Sequence, residues 1–380
     1  MTSKTHLGHV DVDRIDFDGL EKACRGLGEA VLEPAAWPAL MEQICRPLGV
    51  AGAILLQTDV RTPDMPRTEA LDEVARAYFA SGWHAREIWT RRADHLFSRG
   101  KRAFTDTELL TRGELETSPL VHEIFLPRGF KWASAIRFCA GPAMWDLCLH
   151  RTAREEPFDA FNTSVFETLS NRLTEVATLS TAVGRIALSS ATNALNAVRH
   201  PAIALDRLGF VLDANRCAED LFDADIWIKN RRLAVWDAAA RRDLEKLVDR
   251  LLVTSDLATL PCTPIVVRRR EKRPVILRIL PVHGAARTPF LGARALLTLT
   301  SLEPRPWLNA ATLTRAFGLT PAEARLGSIV AEGLNPEQAA ETLGISRITA
   351  RNQLKTIFGK TDTHRQSELV ALLSLLKHGS

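Results

Sequence analysis

The chain of 380 residues has no apolar run approaching the roughly 18 residues of a membrane-spanning helix. Its polar beginning, MTSKTHLGHVDVDRIDFDG, also lacks the apolar stretch of a secretory leader. A helical membrane protein is thereby excluded, and a cytoplasmic location is expected. Cysteine is sparse and scattered: Cys24, Cys45, Cys139, Cys148, Cys217 and Cys262 form no C-x-x-C and keep no regular spacing. That pattern argues against a zinc site or a disulfide framework and favours buried, reduced thiols. There is no G-x-S-x-G, no Walker loop and no H-E-x-x-H, so acyl transfer, nucleotide-loop and zinc-hydrolase chemistry have no visible basis. The expectation is a protein that is not an enzyme and carries no metal or cofactor. An excess of one charge is missing as well, the formal net charge being only +4.

What charge there is lies unevenly. Residues 305–380 hold nine Lys/Arg against six Asp/Glu, while everything upstream stands at 40 against 39. With 46% hydrophobic and 25% charged residues, the chain has the composition of two or three globular domains.

The stretch from Thr320 to Leu376 punctuates itself into four short helices. Thr320, Pro321 and Glu323 spell a capping box with proline at the first helical position, and Asn335, Pro336 and Gln338 repeat the device. After the turn Gly344-Ile345-Ser346, Ser346 caps a third helix in which Ala350, Leu354 and Ile357 face inward at i, i+4 and i+7. Its other face carries Arg347, Arg351 and Lys355 as one cationic stripe, with Thr349 and Asn352 beside it. From Arg347 to Arg365 five Lys/Arg meet a single acid, Asp362. Two capped helices about a tight turn, the second basic outside, is the helix-turn-helix plan.

These residues resemble the C-terminal DNA-binding domain of LuxR-type transcriptional regulators. The resemblance covers roughly 60 residues and rests on Leu319 to Glu323, Ala339-Ala340, Leu343, Ile345-Ser346, Thr349, Leu354, Ile357, Lys360 and Arg365. Ala350, Gln353, Thr361 and Ile348 depart from the family's usual residues, Ile348 standing where a polar one is more common. The resemblance implies double-stranded DNA as partner, with Arg347, Thr349, Arg351, Asn352 and Lys355 in the major groove and Lys360 and Arg365 on the flanking backbone. It also implies dimer contacts from the last helix, His364 to Leu376, which shows Leu369, Leu372, Leu373 and Leu376; the alternative is that half of this apolar face only closes the four-helix core.

Upstream, residues 32–154 read as α/β: a helix at Glu33 to Pro47, a strand at Ala51 to Gln57, a helix at Ala70 to Trp89 and two strands, Ala133 to Cys139 and Met144 to His150, about Gly141-Pro142. This order resembles a GAF-like sensory domain. Within it, Tyr78, Trp83, His84, Arg86 and Trp89, together with Trp132, have the composition of a small-molecule pocket, apolar rings with a few polar groups. The competing reading places the rings in the core and the Arg and His at the surface.

Glu155-Glu156-Pro157 opens a long helix whose apolar positions, from Phe158 through Ile186, recur every three or four residues. It either pairs two chains or packs wholly on its own domain. After His200-Pro201, residues 200–302 show two strands (Ala202 to Asp206, Phe210 to Ala214), a helix capped by Asn215, helical stretches near Asp225 to Arg232 and Asp237 to Val253, and strands at Thr263 to Arg269, Val275 to Val282 and Ala293 to Leu299. This succession resembles a PAS domain. Cys217 lies outside the motif of flavin photoreceptors, and His200 and His283 only flank the unit, so neither flavin nor haem is expected. The run from Arg268 to Arg273 reads as a solvated basic turn.

The expected organisation is an N-terminal segment (1–31), a GAF-like domain (32–154), a connecting helix (155–199), a PAS-like domain (200–302), a linker (303–311) and an all-α four-helix head (312–380). The α/β sensory units would be antiparallel sheets with helices. The expected function is a cytoplasmic, homodimeric regulator answering to a small-molecule inducer. A receiver domain is disfavoured because no acidic pair follows a first strand. The alternative is an enzyme-like sensor fused to a DNA-binding tail.

Overall fold

The computed structural model describes residues 15–253, 263–303 and 310–376. It is a mixed structure of helices and antiparallel sheets, and no described helix is long and apolar enough to cross a membrane. The sequence expectations at 1–14, at Cys262 and at linker residues 304–309 lie outside the described residues.

The first sheet runs β1 (Gly52–Gln57), β2 (Ala103–Thr105), β3 (Phe130–Ala140) and β4 (Ala143–Thr152), in spatial order β1-β4-β3-β2. Side chains alternate across a strand, and here the alternation divides two environments. Leu55, Ile136, Phe138, Trp145, Leu147 and Leu149 pack against Phe166, Leu169 and Leu173 of a helix at Ala160–Ala197. Ile54 faces the other side with Val74, Tyr78, Leu120 and Phe125 from the covering helices. Asp146, Cys148 and His150 share that side by the two-residue period. The helix at Phe17–Gly26 adds Leu20 and Ala23 to the first of these cores.

The second sheet comprises β5 (Ala202–Asp206), β6 (Val211–Ala214), β9 (Ile265–Val267), β10 (Val275–Pro281) and β11 (Ala293–Ser301), in order β6-β5-β11-β10-β9. A separate hairpin of β7 (Ile226–Lys229) and β8 (Arg232–Val235) stands where the sequence suggested a helix. Asn230 and Arg231 both take left-handed conformations, φ 51° and 60°. Two such residues make the hairpin turn whose twist matches its strands.

Two other expectations change. The helix expected over 70–89 breaks into Asp72–Ala80, a short turn at Trp83–Ala85 and Trp89–Ser98, because Gly82 takes φ +72° and redirects the chain. The long helix opens at Ala160 rather than at Glu155: Asp159 and Asn162 form its capping box, and the Glu155 carboxylate accepts from the Thr152 N–H. Its 38 residues span about 57 Å at 1.5 Å per residue.

That helix serves both sheets. Its first half fills the core described above, and Leu188 packs with Ala204, Val282, Ala286 and Ala293 of the second. Gly184 passes so close that a Cβ there would meet the Ala285 carbonyl at 2.8 Å. The segment that follows returns Phe290 to the first core, edge-on to Trp37, Phe138 and Trp145 at 5.5, 5.9 and 5.0 Å. The loop after β1 completes the junction. Asp64 pairs with Arg294 in full burial, and the Arg207 guanidinium donates to Thr62 Oγ1 at 3.4 Å and to the Pro289 carbonyl.

The basic run is an exposed connection between β9 and β10, with only Arg269 partly buried, and it is also held by ion pairs. Arg269 and Lys272 pair with Asp223 at 2.5 and 2.8 Å and Arg270 with Asp225 at 2.6 Å, folding the run onto the segment before β7.

Five helices complete the described chain: Ala310–Phe317, Pro321–Val330, Pro336–Leu343, Arg347–Thr361 and Gln366–Leu376, one more than the four read from the sequence. Leu313, Leu326, Ile329, Ala350, Ile357 and Leu369 meet in their common core. Leu373 is buried there too, so this part of the last helix's apolar face closes the bundle.

Candidate functional site

Two places gather the residues singled out by the sequence. The first is the helix Arg347–Thr361. Gly344, at φ +66°, ends the preceding helix, and Ser346 Oγ accepts from the Thr349 N–H at 3.0 Å to start the next. Ala350, Leu354 and Ile357 are buried, which turns Arg347, Thr349, Arg351, Asn352 and Lys355 outward, and all five are exposed. Ile348 lies among them, 74% exposed.

Two of the cations are engaged within the head. Arg351 pairs with Glu337 at 2.8 Å, holding that carboxyl below its ordinary range. The pair is solvent-exposed, and such pairs exchange readily for another anion. Lys360 differs: its ammonium reaches Glu323 Oε2 at 2.7 Å and the Gly318 carbonyl at 3.1 Å, tying the basic helix to the cap of Pro321–Val330. Lys360 is nonetheless exposed at the end of the basic helix. Arg365 is exposed just before the last helix.

The second place is a cavity of about 100 Å³ on the open side of the first sheet. Of the six pocket candidates, Tyr78 and Trp89 line it, and the other four do not. After the turn at Gly82, His84 and Arg86 are exposed while Trp83 is half-buried against the Tyr78 cluster, the Arg86 guanidinium 4.1 Å from the Trp83 ring and His84 beside Phe79. Trp132 points into a separate surface cleft, its indole N–H donating to the Glu155 carbonyl at 2.8 Å.

The cavity's polar wall comes from residues that the sequence reading passed over. Arg61 forms a buried ion pair with Glu87 and donates to Thr90 and, at 2.5 Å, to the Tyr78 hydroxyl. Burial opposes the Glu87 charge, but Arg61 and the neighbouring N–H groups outweigh it and hold the carboxyl low. Burial pushes the Tyr78 phenol and the Cys148 thiol up. Asp146 receives two bonds from the fully buried Arg137, at 2.7 and 2.8 Å. Asp106 accepts from the Ala133 and Thr107 N–H groups, yet burial raises it to about 6. His150 sits between Phe125 and Phe130, ring centroids 5.0 and 6.2 Å away, and burial lowers it to about 4. A sign of this wall was present in the sequence: Asp146, Cys148 and His150 at alternate positions put a polar face on an otherwise apolar strand.

The histidine has a measurable signature. Its folded-state pKa lies near 4, whereas an unfolded histidine titrates near 6.5, so the unfolded chain takes up a proton that the native site refuses. Stability is expected to fall, through this residue, as pH drops from about 6.5 towards 4, by up to roughly 3 kcal/mol. Asp106, raised by burial, acts in the opposite sense over part of that window. Comparing urea midpoints of the wild type and His150→Asn across this pH range isolates the histidine, and the variant should give the flatter profile.

Among the described residues, no group of His, Cys, Asp and Glu is arranged to hold a metal ion. No family model and no curated protein matches the chain. Solved structures do. A phage VqmA–DPO complex is similar at 16% identity, covering 51% of this chain and 91% of that one, with a TM-score of 0.18. The E. coli DhaR(N)–DhaL complex is similar at 13% identity over 74% of this chain and 87% of that one, with a TM-score of 0.23. At those scores the likenesses carry no argument about fold or function.

Proposed function

We propose that this chain is a sequence-specific, double-stranded-DNA-binding transcriptional regulator. Its C-terminal helices form a LuxR-type helix-turn-helix head, and the GAF-like and PAS-like units upstream control that head through a small-molecule inducer. The carrying observation is the outward face of Arg347–Thr361, where cations and short polar side chains stand exposed on a helix anchored by Ser346, Ala350, Leu354 and Ile357. Such a helix fits the major groove: Arg347, Arg351 and Lys355 meet phosphates or guanine edges, and Thr349 and Asn352 meet base edges. Lys360 and Arg365 add backbone contacts. The chain is read as a regulator and not as an enzyme.

A homodimer suits a two-fold operator. Leu179, Ala182 and Ile186 stand exposed on the long helix at coiled-coil spacing, which supports pairing through that helix. Light scattering at micromolar concentration should return twice the chain mass.

The test is selection of the full-length protein on a genomic fragment library at two salt concentrations. A pseudopalindromic motif is expected. Arg351→Ala should then bind it roughly ten- to a hundredfold more weakly and relax one base position if Arg351 reads a base. Uniform weakening on all sequences would assign it to phosphate. Absence of any motif at moderate salt would overturn the reading.

A further inference from the structure

We propose that the cavity on the open side of the first sheet binds a compact, uncharged single-ring molecule, aromatic or heteroaromatic, with a hydrogen-bonding edge. In treating that molecule as the inducer the inference rests on the regulator reading; the binding itself does not need DNA.

Size comes first. At about 100 Å³ the space is somewhat smaller than the roughly 150 Å³ cavity that admits benzene. One ring fits with slight yielding of the walls, whereas a nucleotide or a long acyl chain does not. The walls are ring-like in their demands too, since Leu71, Val74, Trp89, Phe104 and Phe125 offer broad apolar surface.

The polar atoms select further. The His150 ring is 6% exposed and lines the cavity, and no hydrogen bond reaches either of its nitrogens among the described residues. The Tyr78 hydroxyl accepts from Arg61, but its own hydrogen has no acceptor among the described residues. Arg61 Nε is likewise buried without a partner. Buried polar groups are normally satisfied, and those left over call for a ligand or an ordered water. A neutral imidazole brings one donor and one acceptor, and the phenol one further donor. The matching molecule carries an acceptor and a donor on its edge, as a hydroxylated or nitrogen-containing ring does.

Charge narrows the class again. Arg61 is matched by Glu87 and Arg137 by Asp146, both in burial, so the wall holds no spare cation for an anionic ligand. Asp106 on the same wall repels one. An anionic molecule would shed its water here for no counter-charge.

The test uses the full chain with 4-fluorophenol, 2-hydroxypyridine and benzoate as probes. The two neutral rings should raise the melting temperature saturably, by roughly 2–4 °C at tenfold excess over Kd. The 19F line of 4-fluorophenol should broaden with protein and sharpen again when 2-hydroxypyridine competes. Benzoate should do neither. Ala135→Leu, which fills the cavity from β3, should abolish both effects, and Tyr78→Phe should weaken binding at least fivefold. Should Ala135→Leu fail to fold, Tyr78→Phe and the competition experiment still decide. No stabilisation and no line broadening by neutral rings at tens of millimolar overturns the proposal, as does equal action by benzoate or unchanged binding in the folded variants. Probe binding without an enriched DNA motif would remove the regulator and keep the pocket. A motif without probe binding would do the reverse.

Discussion

Replacing Arg347, Arg351 and Lys355 together by alanine is expected to cut DNA affinity at least about a hundredfold while leaving the fold intact. All three are exposed, and the helix is held by Ala350, Leu354 and Ile357, which the change does not touch. Each cation that neutralises a phosphate releases a condensed counterion, so log affinity against log salt should become shallower by about 0.9 per lost contact, about 2.7 for all three. Surface substitutions of this kind normally move stability by no more than about 0.5 kcal/mol. Fluorescence anisotropy on a selected operator at several salt concentrations, with urea unfolding in parallel, separates the outcomes. An unchanged salt slope would mean that the stripe does not face the duplex. A lower unfolding midpoint would mean that the side chains hold the head together.

Asp64→Ala should produce the largest loss of stability, about 3–5 kcal/mol, because it leaves a buried Arg294 without its counter-charge. Both side chains are 4% exposed, and Arg207 and Arg287 lie close enough that the same carboxylate answers to three guanidiniums. Burial and the neighbouring arginines bring Arg207 down to about 9, so it is still protonated at neutral pH. Burial works against the Asp64 charge, and the arginines overcome it to hold the carboxyl below its ordinary range. Its contribution is therefore complete above about pH 3.9, the value of an unfolded aspartate, and is lost as pH falls through the lower folded value. Asp59→Ala, at an exposed position in the same loop, should stay within about 0.5 kcal/mol. Equal urea midpoints for the two variants would contradict this account.

The head was legible because its information is local. Caps, turn and inward spacing lie within a few residues of one another, and the structure places Thr320, Asn335 and Ser346 as helix caps. The added helix at Ala310–Phe317 begins within the linker read at 303–311 and shows only Leu313 fully buried. The hairpin β7–β8 was read as helix because four-residue strands are too short to show a two-residue period, and its turn lacks glycine. The cavity failed for another reason. Arg61, Glu87, Asp106 and His150 are far apart in the chain and meet only through sheet register and the covering helices. The aromatic cluster at 78–89 drew attention by composition, but the turn at Gly82 leaves His84 and Arg86 exposed.

The loop from Arg61 to Met65 belongs to two structures at once. Arg61 reaches into the cavity, and one residue later the chain begins to hold the second sheet, through Thr62 and Met65 on Arg207 and Asp64 on Arg294. Any occupant that moves Arg61 does so against a clasp it never touches. Equilibrium linkage then requires symmetry: by whatever factor an occupant loosens or tightens the clasp, a substitution that opens the clasp changes the occupant's affinity. Loss of affinity for an occupant can therefore arise at Arg294, in a strand outside the cavity, without any change to the cavity's own lining.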